Sequence, residues 1–278
     1  MSKPSPIRIR TFLVPLAGVA LYYSIQLVAL SAVSFIFKDV NTASLLTTHY
    51  GSYMIIVSAL LIICLFLWLF SARKTTWMTI RRDLLTKGQA LTSVPIAMAM
   101  LGVVGLYMVG VQALSGHVPF IKSLFDEYIQ NTSVPNNTKG LEAAGYYIGV
   151  GILIPIIEEV IFRGIIQGEF LATMKPQTAV FLSALIFGIM HMQPIQIVYA
   201  FVCGLILGFV CLFSNSIFLS IAIHIIFNWI GGVFPVIFAE YPSVTGVLGF
   251  VEISFILVGV LCILYLKKNY RNRLLREV

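Results

Sequence analysis

Long apolar runs alternate along this chain with short polar connections. The apolar runs cover 11–37, 49–72, 89–115, 142–168, 177–192, 195–213, 216–237 and 244–266. A helix rises about 1.5 Å per residue, so about 20 apolar residues cross a hydrocarbon core of ~30 Å. The pattern predicts an all-α, polytopic membrane protein with about eight transmembrane helices. The fifth and sixth runs are short and meet at a turn containing Pro194. No polar stretch is long enough for a soluble domain, so 1–278 reads as a single membrane domain. The first run follows Lys3, Arg8 and Arg10 and outlasts the roughly 7–15 apolar residues of a signal-peptide core, which marks it as a retained helix.

Composition sharpens this picture. Hydrophobic residues make up 59% of the 278 and charged residues 10%, where a soluble domain carries roughly 25% charge. The net charge of +7 is concentrated in connections and tails. Arg73, Lys74, Arg81, Arg82 and Lys87 lie between the second and third runs, and Lys267, Lys268, Arg271, Arg273 and Arg276 follow the last. The loop at 116–141 instead offsets Lys122 and Lys139 with Asp126 and Glu127. An even number of crossings puts both basic segments and the N-terminus on one side, and positive charge marks the cytoplasmic side. The expectation is a multi-pass cell-membrane protein with both termini cytoplasmic. Such charge suits anionic lipid headgroups; no nucleic-acid partner is expected.

Cys64, Cys203, Cys211 and Cys262 all fall in apolar runs without CxxC or zinc-finger spacing, so they read as small hydrophobes. Asn131-Thr132-Ser133 matches a glycosylation sequon and is read as chance. The pairs Gly145/Gly149, Gly164/Gly168 and Gly204/Gly208 have the spacing that lets membrane helices pack closely.

Ionisable residues inside apolar helices are costly and mark function. The fourth run holds Glu158, Glu159 and Arg163, the fifth His191, and the seventh His224 and Asn228. Glu159 and Arg163 stand four apart, the arrangement of an intrahelical ion pair. Glu158 is rotated by about 100° from Glu159 and faces elsewhere. Counted from the predicted cytoplasmic ends, Glu158 lies roughly 15 Å deep, His224 roughly 12 Å and His191 roughly 21 Å. One polar cavity among the fourth, fifth and seventh helices therefore accommodates all three. A buried glutamate and a histidine can activate water, and a second histidine with an asparagine amide can hold an oxyanion. Zinc held by Glu158, His191 and His224 is the rival arrangement, although no HExxH is present.

Three motifs also carry a resemblance: Glu158-Glu159-Val160-Ile161-Phe162-Arg163, then Phe187-Gly188-Ile189-Met190-His191, then His224-Ile225-Ile226-Phe227-Asn228. In order and in helical setting, they resemble the CPBP family, which groups CAAX prenyl endopeptidases with bacteriocin-processing and Abi-type proteins. The resemblance covers about 140–236 as a catalytic core. It implies an intramembrane endopeptidase acting on a membrane-associated peptide or protein, in peptide maturation or bacteriocin self-immunity. On this resemblance Glu158 and His191 activate water, His224 and Asn228 hold the oxyanion, and Glu159 and Arg163 support them. The scheme requires no cofactor, with zinc as the alternative.

The competing reading is a membrane scaffold that regulates a membrane-protein partner, or a transporter with an intramembrane proton relay. Interhelical hydrogen bonding accounts for His224 and Asn228 taken alone, and capping of the turn before Pro194 accounts for His191. Together with Glu158 they favour chemistry. Glu252 has no partner evident from the sequence.

Overall fold

The computed structural model describes residues 9–38, 49–71, 83–132 and 140–276. Lys3, Arg8, Arg73, Lys74, Arg81, Arg82 and Lys139, which carry much of the expected charge bias, lie outside the described residues, as does Ser133 of the sequon. Helices occupy the predicted apolar runs: α1 (Arg10–Phe37), α2 (Tyr50–Ser71), α3 (Lys87–Ser115, interrupted at Thr92), α5 (140–173), α6 (Pro176–Ile189), α7 (Pro194–Ser214), α8 (Ile217–Ile237) and α9 (Pro242–Arg276). An amphipathic helix, α4 (Pro119–Thr132), lies between α3 and α5. The protein is an all-α polytopic membrane protein. Among the described residues, 5 helices (α1, α3, α7, α8 and α9) are long and apolar enough to cross a membrane, and shorter apolar helices run over Tyr50–Leu65 and Pro176–Ile189.

The outer surface explains the composition. Phe35 is 85% exposed on α1 and Phe250 79% on α9, with Leu16, Leu257 and Leu261 also exposed. Contiguous apolar surface on this scale is untenable in water and is the normal face of a helix toward lipid.

The sequence predicts only a loop over 116–141, and here the structure corrects it. Pro119 opens α4, a position where its missing N–H costs nothing. Phe120, Leu124 and Tyr128 follow at four-residue spacing, and Lys122 pairs with Asp126 across one turn. Half of α4 is polar, so an apolar-run criterion passes over it. It packs beside α3 and α7, where the Tyr128 and Tyr199 hydroxyls stand 3.2 Å apart.

Beside a small apolar cluster at Cys211 and Ile217, two larger ones dominate interior packing among the described residues. One is drawn mainly from α1, α2, α5 and α6, around Ile25, Val57, Ile161, Ile165 and Phe187. The other joins α3, α7, α8 and α9 around Ile96, Met100, Leu207, Ile223 and Leu266. Small residues allow the close approaches between helices. A methyl group on Gly145 would lie 2.7 Å from the Gly51 carbonyl oxygen of α2, and one on Gly208 would lie 2.8 Å from Val180 Cγ1 of α6. Two of the three glycine spacings thus mark helix contacts.

Helix α5 is irregular. Its α-helical stretches Gly140–Ile148, Ile154–Glu159 and Gln167–Thr173 alternate with π-helical Gly149–Leu153 and Val160–Ile166. A π stretch shifts the backbone hydrogen bonds from four residues to five. Both π stretches flank the two glutamates.

Candidate active site

The adjacent side chains of Glu158 and Glu159 leave α5 in different directions, as helical geometry requires. Glu159 is 0% exposed, and its Oε1 lies 2.9 Å from both Arg163 Nη1 and His224 Nδ1. The ion pair expected from the four-residue spacing is therefore formed, and α8 joins it. Arg163, also buried, donates from Nη2 to the Gly204 carbonyl of α7 at 3.3 Å and stacks its guanidinium over Phe187, 4.4 Å from the ring centre. One turn on, Gln167 donates to the Gly208 carbonyl at 3.1 Å. This seam of polar contacts fixes α5 against α7 and α8 where the two apolar clusters adjoin. The π stretch contributes as well, because Ser183 of α6 donates to the Phe162 carbonyl at 2.9 Å.

Glu158 faces the other way. Its Oε1 accepts from the Tyr22 hydroxyl of α1 at 3.1 Å, and its Oε2 lies 3.7 Å from His224 Nε2. His224 thus stands between the two carboxylates, one ring nitrogen toward each. A buried carboxylate with several polar neighbours avoids the penalty of an unpaired charge.

His191 sits in the turn that ends α6. Its backbone N–H bonds to Gly188, which leaves the Phe187 carbonyl open, and His191 Nδ1 takes that carbonyl at 2.9 Å. A carbonyl oxygen only accepts, so Nδ1 carries the proton and the neutral ring keeps its lone pair on Nε2. That tautomer suits a base. The next residue, Met192, has φ of 60°, a left-handed conformation uncommon for a side chain of this size. It reverses the chain between α6 and α7 while leaving His191 at the turn.

Glu158 and His191 open onto one cavity of about 290 Å³, walled by Tyr22 and Tyr23 of α1, Tyr53 of α2 and Phe187 of α6. Packing brings Glu158 and His191 to one cavity despite the difference in depth counted from the sequence. Helix α8 does not line it, and α1 and α2 stand where the sequence predicts the seventh helix. His224 lies just behind Glu158. Asn228, one turn along α8, donates to the Val150 carbonyl at 2.9 Å, in the first π stretch of α5, and keeps its second amide hydrogen.

The same geometry bears on the zinc alternative. Among the described residues no three His, Cys, Asp or Glu side chains gather as a ligand set. His224 Nδ1 is engaged by Glu159 and His191 Nδ1 by Phe187, which leaves Nε2 as the nitrogen each ring can turn to water or to a metal. Glu158, His191 and His224 thus stand as separate groups and not as a formed ligand set among the described residues.

Sequence reasoning places the site in three helices and misses α1 and α2. Tyr22, Tyr23 and Tyr53 read in sequence as ordinary lipid-facing or interfacial aromatics. Their only signal is that Tyr22 and Tyr23 stand well inside an apolar run, where a phenol needs a polar partner.

Residues 140–230 match the family model for type II CAAX prenyl endopeptidase, Rce1-like proteins. The match spans about a third of the chain, is consistent with the CPBP resemblance of the motifs, and contains Glu158, Glu159, Arg163, His191, His224 and Asn228. Helices α1 to α4 lie outside it. No curated protein matches the chain, and no solved structure matches it.

Proposed function

We propose that the chain is an intramembrane endopeptidase that hydrolyses a peptide bond in a membrane-associated peptide or protein, using water activated by Glu158 and His191. The observation that carries this reading is the shared cavity: a buried carboxylate and a histidine with a free Nε2 line the same space. Glu158 takes a proton from water while His191 Nε2 accepts a hydrogen bond from it, and the oxygen attacks the scissile carbonyl. His224 gives its Nδ1–H to Glu159, so it donates toward the oxyanion from Nε2 in its imidazolium form, and Asn228 contributes its remaining amide hydrogen. The proton taken from water then passes to the leaving amine as the C–N bond breaks. Glu159 and Arg163 hold His224 and α5 in place. No metal enters the scheme, and the physiological substrate is a maturing peptide or a bacteriocin-type peptide.

The test uses the full chain in proteoliposomes with two internally quenched probes, a farnesylated CAAX peptide and a pool of unprenylated apolar peptides. Glu158→Gln and His191→Ala each lower the cleavage rate by roughly 10²–10⁴, with unchanged membrane levels and unfolding temperature. Cleavage by the wild type persists after dialysis against a zinc chelator. Undiminished cleavage in both variants overturns the mechanism. Full loss with chelator, restored by zinc, replaces it with a metal one. A wild type that cleaves neither probe moves the scaffold reading forward.

A further inference from the structure

We infer that Tyr22 and Tyr23, adjacent residues of α1, form a two-handed clamp that positions the two water-activating groups from outside the family-matched segment. This inference rests on the endopeptidase reading and adds to it a pair of positioning residues.

The geometry divides the work between neighbours. Tyr22 donates its hydroxyl to Glu158 Oε1 at 3.1 Å. Tyr23 donates to the Met190 carbonyl at 2.7 Å, one residue before His191. Successive side chains on a helix diverge by about 100°, and here that divergence aims one phenol at α5 and the other at the end of α6. The two rings brace each other edge to face, 6.0 Å apart.

Each bond serves a group that would otherwise be loose. The last carbonyls of a helix have no intrahelical partner, and Met190 is at the end of α6, where Met192 turns left-handed. Fixing the Met190 carbonyl fixes the turn, and with it the His191 ring anchored on Phe187. For Glu158, the Tyr22 bond holds Oε1 and leaves Oε2 on the His224 side. Both tyrosines also line the cavity itself.

Elsewhere α1 is tied to the same helix. At its first turn Arg10 forms a two-pronged ion pair with the buried Glu169 of α5. Only 17% of the apolar span of α1 is buried, so these polar contacts set its register on α5. A helix that otherwise faces lipid thereby becomes part of the catalytic geometry.

The experiment compares wild type, Tyr22→Phe and Tyr23→Phe in proteoliposomes, substitutions that remove one oxygen atom each and keep the rings. Hydrogen bonds to charged groups are the stronger class, so Tyr22→Phe lowers kcat roughly tenfold or more with KM within about twofold. Tyr23→Phe lowers kcat less, again with KM held. Infrared difference spectra against Glu158→Gln identify the Glu158 carboxyl band in each background without any substrate. Tyr22→Phe shifts that band and Tyr23→Phe leaves it in place. An unshifted band in Tyr22→Phe overturns the clamp whether or not either probe is cleaved. A shifted band with no cleavage by wild type leaves the contact standing and removes the endopeptidase reading instead. Equal changes in KM and kcat, or restoration of rate by a stabilising lipid alone, reduce both tyrosines to packing residues.

Discussion

Among single side chains, the largest energetic stake is the fully buried group of Glu159, Arg163 and His224. Removing one member of a buried ion pair strands the other, at a cost of about 3–5 kcal/mol. Glu159→Gln keeps the shape, leaves Arg163 uncompensated, and should lower the unfolding temperature in detergent sharply. Replacing both, as Glu159→Gln with Arg163→Met, should recover part of the loss, because desolvating the pair offsets much of its attraction. Additive losses in that double-mutant cycle would refute the pairing. Of this cluster the Glu159–Arg163 pair is readable in sequence, since a four-residue spacing is a consequence of helix geometry alone, while the contact of His224 with Glu159 across 65 positions is not. The partners of Glu158 are not readable either. Tyr22 contacts it across 136 positions of chain, and no local spacing encodes such a contact. Nor does the sequence reveal that Asn228 spends an amide hydrogen on Val150: the π register gives the Ile154 N–H to Gly149, and Pro155, next in line for the Val150 carbonyl, has none to give.

Helices in a membrane gain little from burying apolar surface, since lipid is equally apolar, and depend on close backbone approach and polar contacts. Gly145 on α5 tests this directly. An added methyl would meet the backbone oxygen of Gly51 at 2.7 Å, a contact no rotamer change relieves. Gly145→Ala should therefore destabilise by about 1–3 kcal/mol. A methyl added to Gly249 on α9 would meet nothing within 4 Å, and Gly249→Ala should stabilise by up to about 1 kcal/mol through helix propensity. Thermal unfolding in one detergent measures both, and equal effects would contradict the packing. Apolar runs locate α1 to α3 and α5 to α9 because lipid selects for uniform hydrophobicity over about 20 residues. The same criterion overlooks α4, which answers to two solvents, and says nothing of the π stretches in α5, where backbone hydrogen bonding departs from what residue type dictates.

For the molecule as a whole, orientation is the property most exposed to refutation. Within the described residues, α9 runs past its apolar span into Lys267, Lys268, Arg271 and Arg273, while α4 balances Lys122 with Asp126. Basic excess on one side and balanced charge on the other argue that the end of α9 faces the cytoplasm and α4 the opposite surface. The free cysteines, Cys64, Cys203, Cys211 and Cys262, would first be replaced by alanine or serine. Single cysteines would then be introduced as Lys122→Cys and Lys268→Cys, both at exposed positions. A membrane-impermeant maleimide applied to intact cells should label Lys122→Cys, and label Lys268→Cys only after permeabilisation. The reverse pattern would invert the protein. Labelling of both in intact cells would require an even number of crossings between α4 and the end of α9, in place of the odd number that the apolar runs imply. One of α5 to α9 would then fail to span, and the two walls of the cavity would stand on a different footing with respect to the bilayer. The expected result would fix the depth scale for Glu158 and His191 and show from which side water and substrate reach them.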